Sequence, residues 1–265
     1  MRKPLYALFA CGFTQFLAGC VVYMPVQCAA PQITDRQQGE VTASTYLNGR
    51  VEVAGSYSPV RHLLVHAAYS NLTDNARDSV YYRGHQYDVG VGTYWQLSPR
   101  WLVGGLGGVG QAHSEAGFSN GGSLLGFGRP VRHELEARYN KVYGEAYGAF
   151  QASPTFSLGA AYRVTHVSFT ALSDQRAPVD LSRMTRSEPM FFVRVRLGDG
   201  PTNTRPVQLQ LAWGSSSTFG YDRAKDDMAL GSVAALKQGR GYTTLGISLF
   251  PHCLFQKAQP APAQP

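Results

Sequence analysis

Two polar side chains near the middle of the chain, His166 and Ser168, are of types that could support hydrolysis. A serine nucleophile needs a histidine base within hydrogen-bond reach and an acid that orients the histidine. On a β-strand these two side chains would share a face about 7 Å apart, and the strand predicted below contains no acid that completes the set. The pair therefore keeps a lipid hydrolase as one alternative, beside the plainer interpretation of two polar residues at the end of a strand.

The spacing of histidines and aspartates predicts no metal site. His62 and His66 would share a strand face about 13 Å apart, which is too far for both to bind one ion. Asp222, Asp226 and Asp227 lie close together in the sequence, but their spacing does not match an EF-hand loop. We therefore expect solvated side chains at these positions rather than metal ligands.

The segment Gly105–Gly110 matches the glycine pattern G-x-G-x-x-G. In dinucleotide-binding proteins this pattern follows a strand and opens a helix. Here the glycines lie inside a predicted strand, where small residues ease packing or curvature. The pattern therefore predicts a packing role, and we expect no cofactor.

Residues 1–19 have the features of an export signal. Arg2 and Lys3 precede an apolar run that is too short to span a bilayer as a helix. The run ends in Leu17-Ala18-Gly19-Cys20, which resembles the lipobox of bacterial lipoproteins, where cleavage precedes the cysteine and the thiol is acylated. The resemblance implies lipid attachment at Cys20, and a plain secretory signal cut nearby stays open as the alternative. Residues 20–38 are expected to form a lipid-anchored tether.

The composition favours a β protein over a helical one. Charged residues make up 15% of the 265 residues and aromatic residues 12%, and there are 29 glycines. The formal net charge is +7, but the basic residues are scattered and form no long run. No nucleic-acid partner is therefore predicted.

Apolar residues recur at every second position between residues 39 and 250, which predicts an all-β domain. The clearest segment places Val193 and Val195 on one face and Arg194 and Arg196 on the other. Ten strands are predicted, near residues 40–48, 50–58, 61–70, 85–95, 100–111, 138–151, 155–169, 189–198, 205–214 and 241–250.

The connections between the predicted strands alternate in length. Short links follow the even strands, and three of them contain Ser-Pro: Ser58-Pro59, Ser98-Pro99 and Ser153-Pro154. The links after strands three, five, seven and nine are long and span about 71–84, 112–137, 170–188 and 215–240. Transmembrane barrels have short turns on one side, longer loops on the other and an even strand number. A soluble sandwich has no reason to sort its loops in this way.

Charged side chains on the polar strand faces would point into the interior of such a barrel. The predicted lumen charges are four acids and four bases: Glu40, Glu52, Asp88, Lys141, Glu145, Arg163, Arg194 and Arg196. A ten-stranded barrel is only slightly wider than the eight-stranded kind that side chains can fill. We therefore expect these charges, with Tyr143 and Tyr147, to plug the lumen.

Cys28 and Cys253 remain near the two ends of the mature chain. A disulfide between them is permitted outside the cytoplasm, and two free thiols are the alternative because disulfides tolerate only small offsets. Residues 251–265 are rich in Pro, Ala and Gln, which predicts a disordered periplasmic tail.

The lipobox, the sorted loops and the aromatic residues at strand ends resemble the small outer-membrane β-barrel proteins of Gram-negative bacteria, over about residues 39–250. The resemblance implies an antiparallel up-and-down transmembrane barrel of about ten strands, anchored to outer-membrane lipid. It also implies a non-enzymatic structural or surface-interaction role through the long loops. A lipid-anchored soluble β-barrel that binds an apolar ligand is the alternative, and it requires Arg194 and Arg196 on the outside. The chain departs from the common pattern in its lipobox and in the fifteen residues after Phe250.

Overall fold

The computed structural model describes residues 22–74, 81–120, 131–198, 205–221, 233 and 236–255. Ten strands form the fold: β1 (Gly39–Tyr46), β2 (Val51–Tyr57), β3 (Leu64–Asp74), β4 (Tyr81–Ser98), β5 (Trp101–Asn120), β6 (Val131–Gln151), β7 (Phe156–Asp174), β8 (Arg183–Leu197), β9 (Val207–Thr218) and β10 (Arg240–Leu249). A two-residue segment, Ala177–Pro178, pairs with the end of β7, and the short helix α1 (Pro251–Phe255) follows β10. No helix within these ranges is both long and apolar enough to span a membrane.

Each strand pairs antiparallel with its neighbours in chain order, and β1 pairs with β10 to close the sheet. At this seam Val41 lies opposite Leu249, and Tyr46 lies opposite Thr244. Closure removes the two free sheet edges that an open sheet would expose. The prediction of a closed, antiparallel, ten-stranded barrel is therefore confirmed.

Side chains alternate between the outside of the barrel and its lumen. Leu209 is 46% exposed and Ile247 is 50% exposed on the outer face, whereas the neighbouring Gln208, Gln210 and Ser248 are buried inside. Arg194 and Arg196 are also buried, in the lumen. The soluble alternative, which requires these two arginines outside, is wrong on this point.

The strands on one side of the barrel are longer than the sequence predicted. β4 to β7 have 18 to 21 residues each, so they continue well into the segments that were expected to be long connections. The period-two pattern fades there because the outer face changes from apolar to charged, with Arg83, Glu136 and Arg138 exposed. The inner face keeps its buried positions, so the strands continue although the apolar signal ends.

The glycines of the G-x-G-x-x-G pattern make room for large lumen side chains. Gly108 lies on β5, and a Cβ at this position would meet the Tyr143 ring and the Val89 carbonyl oxygen. Gly110 lies in the same way against Asp88. The expectation of a packing role fits this geometry, since the pattern opens no helix.

Replacing Gly108 by alanine should destabilise the barrel by about 1–3 kcal/mol, because a Cβ there overlaps backbone as well as the Tyr143 ring. Gly144→Ala is the matched control, because a Cβ at Gly144 meets no atom within 4 Å. Its effect should stay within about 0.5 kcal/mol. Urea unfolding in detergent micelles compares the two variants, and equal stabilities would contradict the packing role.

Candidate functional site in the barrel lumen

Residues 22–34, here called the lumen segment, run through the inside of the barrel without regular secondary structure, and Ala30 has a left-handed backbone with φ 37°. Most of their side chains are buried, and Val22, Ala30 and Ile33 are fully enclosed. The sequence predicted a tether for residues 20–38, but the described part of that range up to Thr34 fills the lumen instead. The segment contains no charged residue, so it can be enclosed without an unpaired charge.

Contacts at its two ends fix the direction of the lumen segment. Gln32 donates from Nε2 to the Ser157 hydroxyl at 2.6 Å and accepts from Gln208 Nε2 at 2.9 Å. Ser157 and Gln208 lie at the ends of β7 and β9 that adjoin the short connections. Ser114, near the other end of β5, donates to the Val22 carbonyl at 2.6 Å. The segment therefore runs from the short-turn end at Thr34 to the long-loop end at Val22.

Buried acids of the barrel wall accept hydrogen bonds from the backbone of the lumen segment. Glu40 accepts from the Gln32 amide at 2.7 Å, and Glu145 accepts from the Ala29 amide at 2.9 Å. The Tyr46 hydroxyl accepts from the Gln27 amide at 2.9 Å and donates to Glu52 at 2.6 Å. An amide enclosed away from bulk solvent needs such a partner.

Buried arginines donate hydrogen bonds to the carbonyl groups of the same segment. Arg50 donates to the Pro25 carbonyl at 2.6 Å, and Arg194 donates to the Ala30 carbonyl at 2.9 Å. Arg163 reaches the Gln27 carbonyl at 3.3 Å. The wall thus supplies acceptors for amides and donors for carbonyls, a pattern that holds the backbone of the segment along its length.

The charges of the wall also pair with each other. Lys141 lies 2.6 Å from Asp88, and Arg163 lies 3.7 Å from Asp88 and 2.6 Å from Glu145. Lys141 thus makes a close charged contact with Asp88, whereas Arg163 at 3.7 Å attracts Asp88 mainly through its charge. Arg163 Nε donates to Glu145 Oε2 at 2.8 Å, and Nη2 lies 2.6 Å from the same oxygen, so the contact is a charge-assisted one to a single carboxylate oxygen.

All eight predicted lumen charges are buried inside the barrel. Among the described residues, three further buried charges were missed: Arg50, Arg186 and Glu188. Glu188 accepts hydrogen bonds from the hydroxyl groups of Tyr23 at 2.8 Å and Thr165 at 2.8 Å. The sequence predicted that the connection after the seventh strand ends at residue 188. The alternation of the larger side chains Met184, Arg186 and Glu188 with smaller polar residues could have extended the next strand toward the N-terminus.

The residues considered for hydrolysis do not form a catalytic set in the described chain. His166 is exposed on the outer face, and its Nδ1 lies 3.1 Å from the Thr185 hydroxyl. A different pair, Ser56 and His66, meets across β2 and β3 inside the lumen at 2.9 Å. These two residues border an enclosed space of about 20 Å³ and an open pocket of about 540 Å³. His66 Nε2 has no hydrogen-bond partner, so no described acid orients this histidine as a serine nucleophile requires.

His62, which was considered with His66 as a metal ligand, stacks on Trp95 at a ring-centroid distance of 4.0 Å. Within the described ranges, no group of three or more His, Cys, Asp or Glu residues could hold a metal ion. Asp222, Asp226 and Asp227 lie outside the described residues.

Both remaining cysteines are free thiols. Cys28 lies in the lumen, with its sulfur 3.8 Å from the Glu188 carbonyl, whereas Cys253 lies in α1 beyond the short-turn end. Burial raises the pKa of the Cys253 thiol and lowers the pKa of the adjacent His252. The first five residues of the segment predicted to be a disordered tail are thus helical, and residues 256–265 lie outside the described residues.

No protein family model and no curated protein matches the sequence. Among solved structures, the outer membrane protease OmpT from Escherichia coli has 12% identity and a TM-score of 0.39, covering 82% of this chain and 94% of that chain. The NanC porin has 10% identity and a TM-score of 0.34, covering 80% and 98%. OmpT of Vibrio cholerae, an outer membrane protein, has 8% identity and a TM-score of 0.25, covering 80% and 96%. These values assign neither a family nor an activity.

Proposed function

We propose that this protein is an outer-membrane β-barrel with a non-enzymatic structural or surface-interaction role, anchored to lipid through Cys20. The distribution of side chains on the ten strands carries the proposal. The outer face is apolar over a band next to the short-turn end, while paired charges and a peptide segment occupy the inside. Such a surface is stable when hydrocarbon covers it, and a water-soluble barrel would have the opposite arrangement.

Exposed aromatic side chains support a membrane position. Tyr57, Trp95, Trp101 and Phe156 are exposed near the short-turn end. Tyr69, Tyr87 and Tyr162 are exposed nearer the long-loop end. On β4, Tyr87 and Trp95 are eight residues apart. This separation is about 27 Å along the strand and about 20 Å along the barrel axis, because the strand is tilted. The two groups thus fit the girdles at the edges of a hydrocarbon layer.

The filled lumen favours an interaction role over transport. Side chains and backbone of the lumen segment occupy the space in which an open pore would hold water. The outer strand ends, by contrast, extend beyond the apolar band and carry the longer connections. Loops on a rigid scaffold are common sites of recognition, so we assign surface interaction to this end.

Extraction and gel mobility test the proposal. The Cys20→Ala variant should stay in the membrane fraction until detergent is added, because the barrel itself is embedded in hydrocarbon. Unheated protein should also migrate differently from boiled protein, since a closed barrel resists the gel detergent. Mass spectrometry of the N-terminal peptide checks the acyl group in the parent protein. Release of Cys20→Ala as a monomer in plain buffer would refute the membrane assignment.

A further inference from the structure

The direction of the lumen segment determines where the mature N-terminus leaves the barrel. Thr34 lies at the short-turn end, next to the start of β1, and Val22 lies at the long-loop end beside Ser114. Between them Tyr23 donates to Glu188, and Arg50 donates to the Pro25 carbonyl, so the path is held along its length. The chain therefore enters at one end of the lumen and reaches the other.

We infer that the acyl group on Cys20 lies on the long-loop side of the membrane, opposite the C-terminal end of the chain. This inference rests on the proposed lipid attachment at Cys20. It departs from the simple arrangement in which the anchor and both barrel termini share the short-turn side. The lipid would then insert in the leaflet that the long loops face.

Chain length excludes a return to the short-turn side. The twelve residue steps from Val22 to Thr34 can span at most about 40 Å at the rise of an extended chain. Only two residue steps separate Cys20 from Val22, which allows at most about 7 Å between their Cα atoms. The lumen around the segment is also filled, with Val22 fully buried and Met24 nearly so. An acyl group on Cys20 thus cannot reach the far leaflet while the lumen segment stays in place.

The surroundings of Val22 are suited to an apolar neighbour. Val22 and Tyr23 pack in one cluster with buried residues of β5 to β8, including Phe118, Leu135 and Met184. Three partly buried apolar residues, Phe169, Val179 and Leu181, extend that cluster. Val22 is therefore enclosed by apolar side chains, while Tyr23 beside it also contacts Glu188 and Arg186.

Epitope tags on the full-length protein in a Gram-negative host test the inference. One tag is inserted between Cys20 and Val21, a second within the connection 121–130, and a third after Pro265. Antibody binding is measured on intact and on permeabilised cells, and the mass of the N-terminal peptide reports acylation. We expect antibody binding to the first tag to match that to the second tag on intact and on permeabilised cells. It should differ from binding to the third tag.

The outcomes separate this inference from the proposed function. An acylated N-terminus whose tag shares the accessibility of the tag after Pro265 would overturn the inference and leave the lipid anchor intact. A chain without acylation, or one that begins after Ala30, would overturn the lipid anchor and the inference together. Loss of heat-modifiable mobility in a tagged protein would mean that the tag blocks folding. In that case cross-linking tests the direction of the lumen segment.

Cross-linking gives that second measurement without an inserted tag. In a Cys28→Ser, Cys253→Ser background, Val22→Cys with Ser114→Cys should be joined by a short bis-maleimide. Val22→Cys with Ser157→Cys is the matched control and should not be joined, because Ser157 lies at the opposite end of the lumen. Cross-linking of the control pair with none at Ser114→Cys would overturn the inferred direction.

Discussion

Replacing Arg163 by methionine should lower the free energy of unfolding by about 3–5 kcal/mol, the range for removing one partner from a buried ion pair. Arg163 is almost fully buried, and its guanidinium lies 2.6 Å from Glu145 and 3.7 Å from Asp88. Methionine retains much of the volume and removes the charge. Glu145 would then keep its bond from the Ala29 amide but lose its cation.

Urea titration in detergent micelles measures this change, with the heat-modifiable band or tryptophan fluorescence as the readout. Arg132→Met is the matched control, because Arg132 pairs with Glu134 at 3.0 Å on the exposed end of β6. Its effect should not exceed about 1 kcal/mol. Adding Glu145→Gln to Arg163→Met should recover part of the loss, since it removes the unpaired charge and keeps a side-chain oxygen that can accept from the Ala29 amide. Equal effects at positions 132 and 163 would contradict a buried network.

Deleting residues 22–33 should convert a closed barrel into a conducting one. The parent protein should show no channel steps in a planar bilayer, because the lumen segment fills its interior. In the deletion variant the carboxylates and arginines that hold that backbone would face water instead, and conductance should rise by at least an order of magnitude. A synthetic peptide of residues 22–34 should reduce that conductance when added to the bath.

A matched deletion of residues 257–265 controls for shortening the chain and should leave the barrel closed. Heat-modifiable mobility shows whether each variant has folded before its conductance is measured. If the folded variant without residues 22–33 remains closed, the wall side chains alone fill the lumen and the segment is not its plug. Channel steps in the parent protein would contradict a filled lumen directly.

The barrel itself could be predicted from the sequence because its physical cause is local. Alternation of Val193, Arg194, Val195 and Arg196 requires only that one face of the strand contacts hydrocarbon and that its other face contacts a polar interior. The short turns at Ser98-Pro99 and Ser153-Pro154 likewise depend on residues that are adjacent in the chain. Strand number, pairing order and the inward direction of the charges followed from these features.

The strand ends and the lumen segment could not be predicted in the same way. Above the apolar band the outer face of β6 carries Glu136 and Arg138, so the outside no longer differs from the inside in polarity. The lumen segment is held by partners distant in sequence, such as Glu145 and Arg194, and no local periodicity reports them. One signal was present: residues 22–34 contain no charge, whereas an exposed tether is usually polar.

A segment that fills the lumen also restricts the order of assembly. The finished cylinder joins β1 to β10 and leaves little room beside residues 22–34, so this segment could not be threaded through it afterwards. The curved ribbon of strands must instead wrap around residues 22–34 before the first and last strands meet. Residues 22–34 are therefore already in position when the last hairpin arrives, and the seam is the final contact to form.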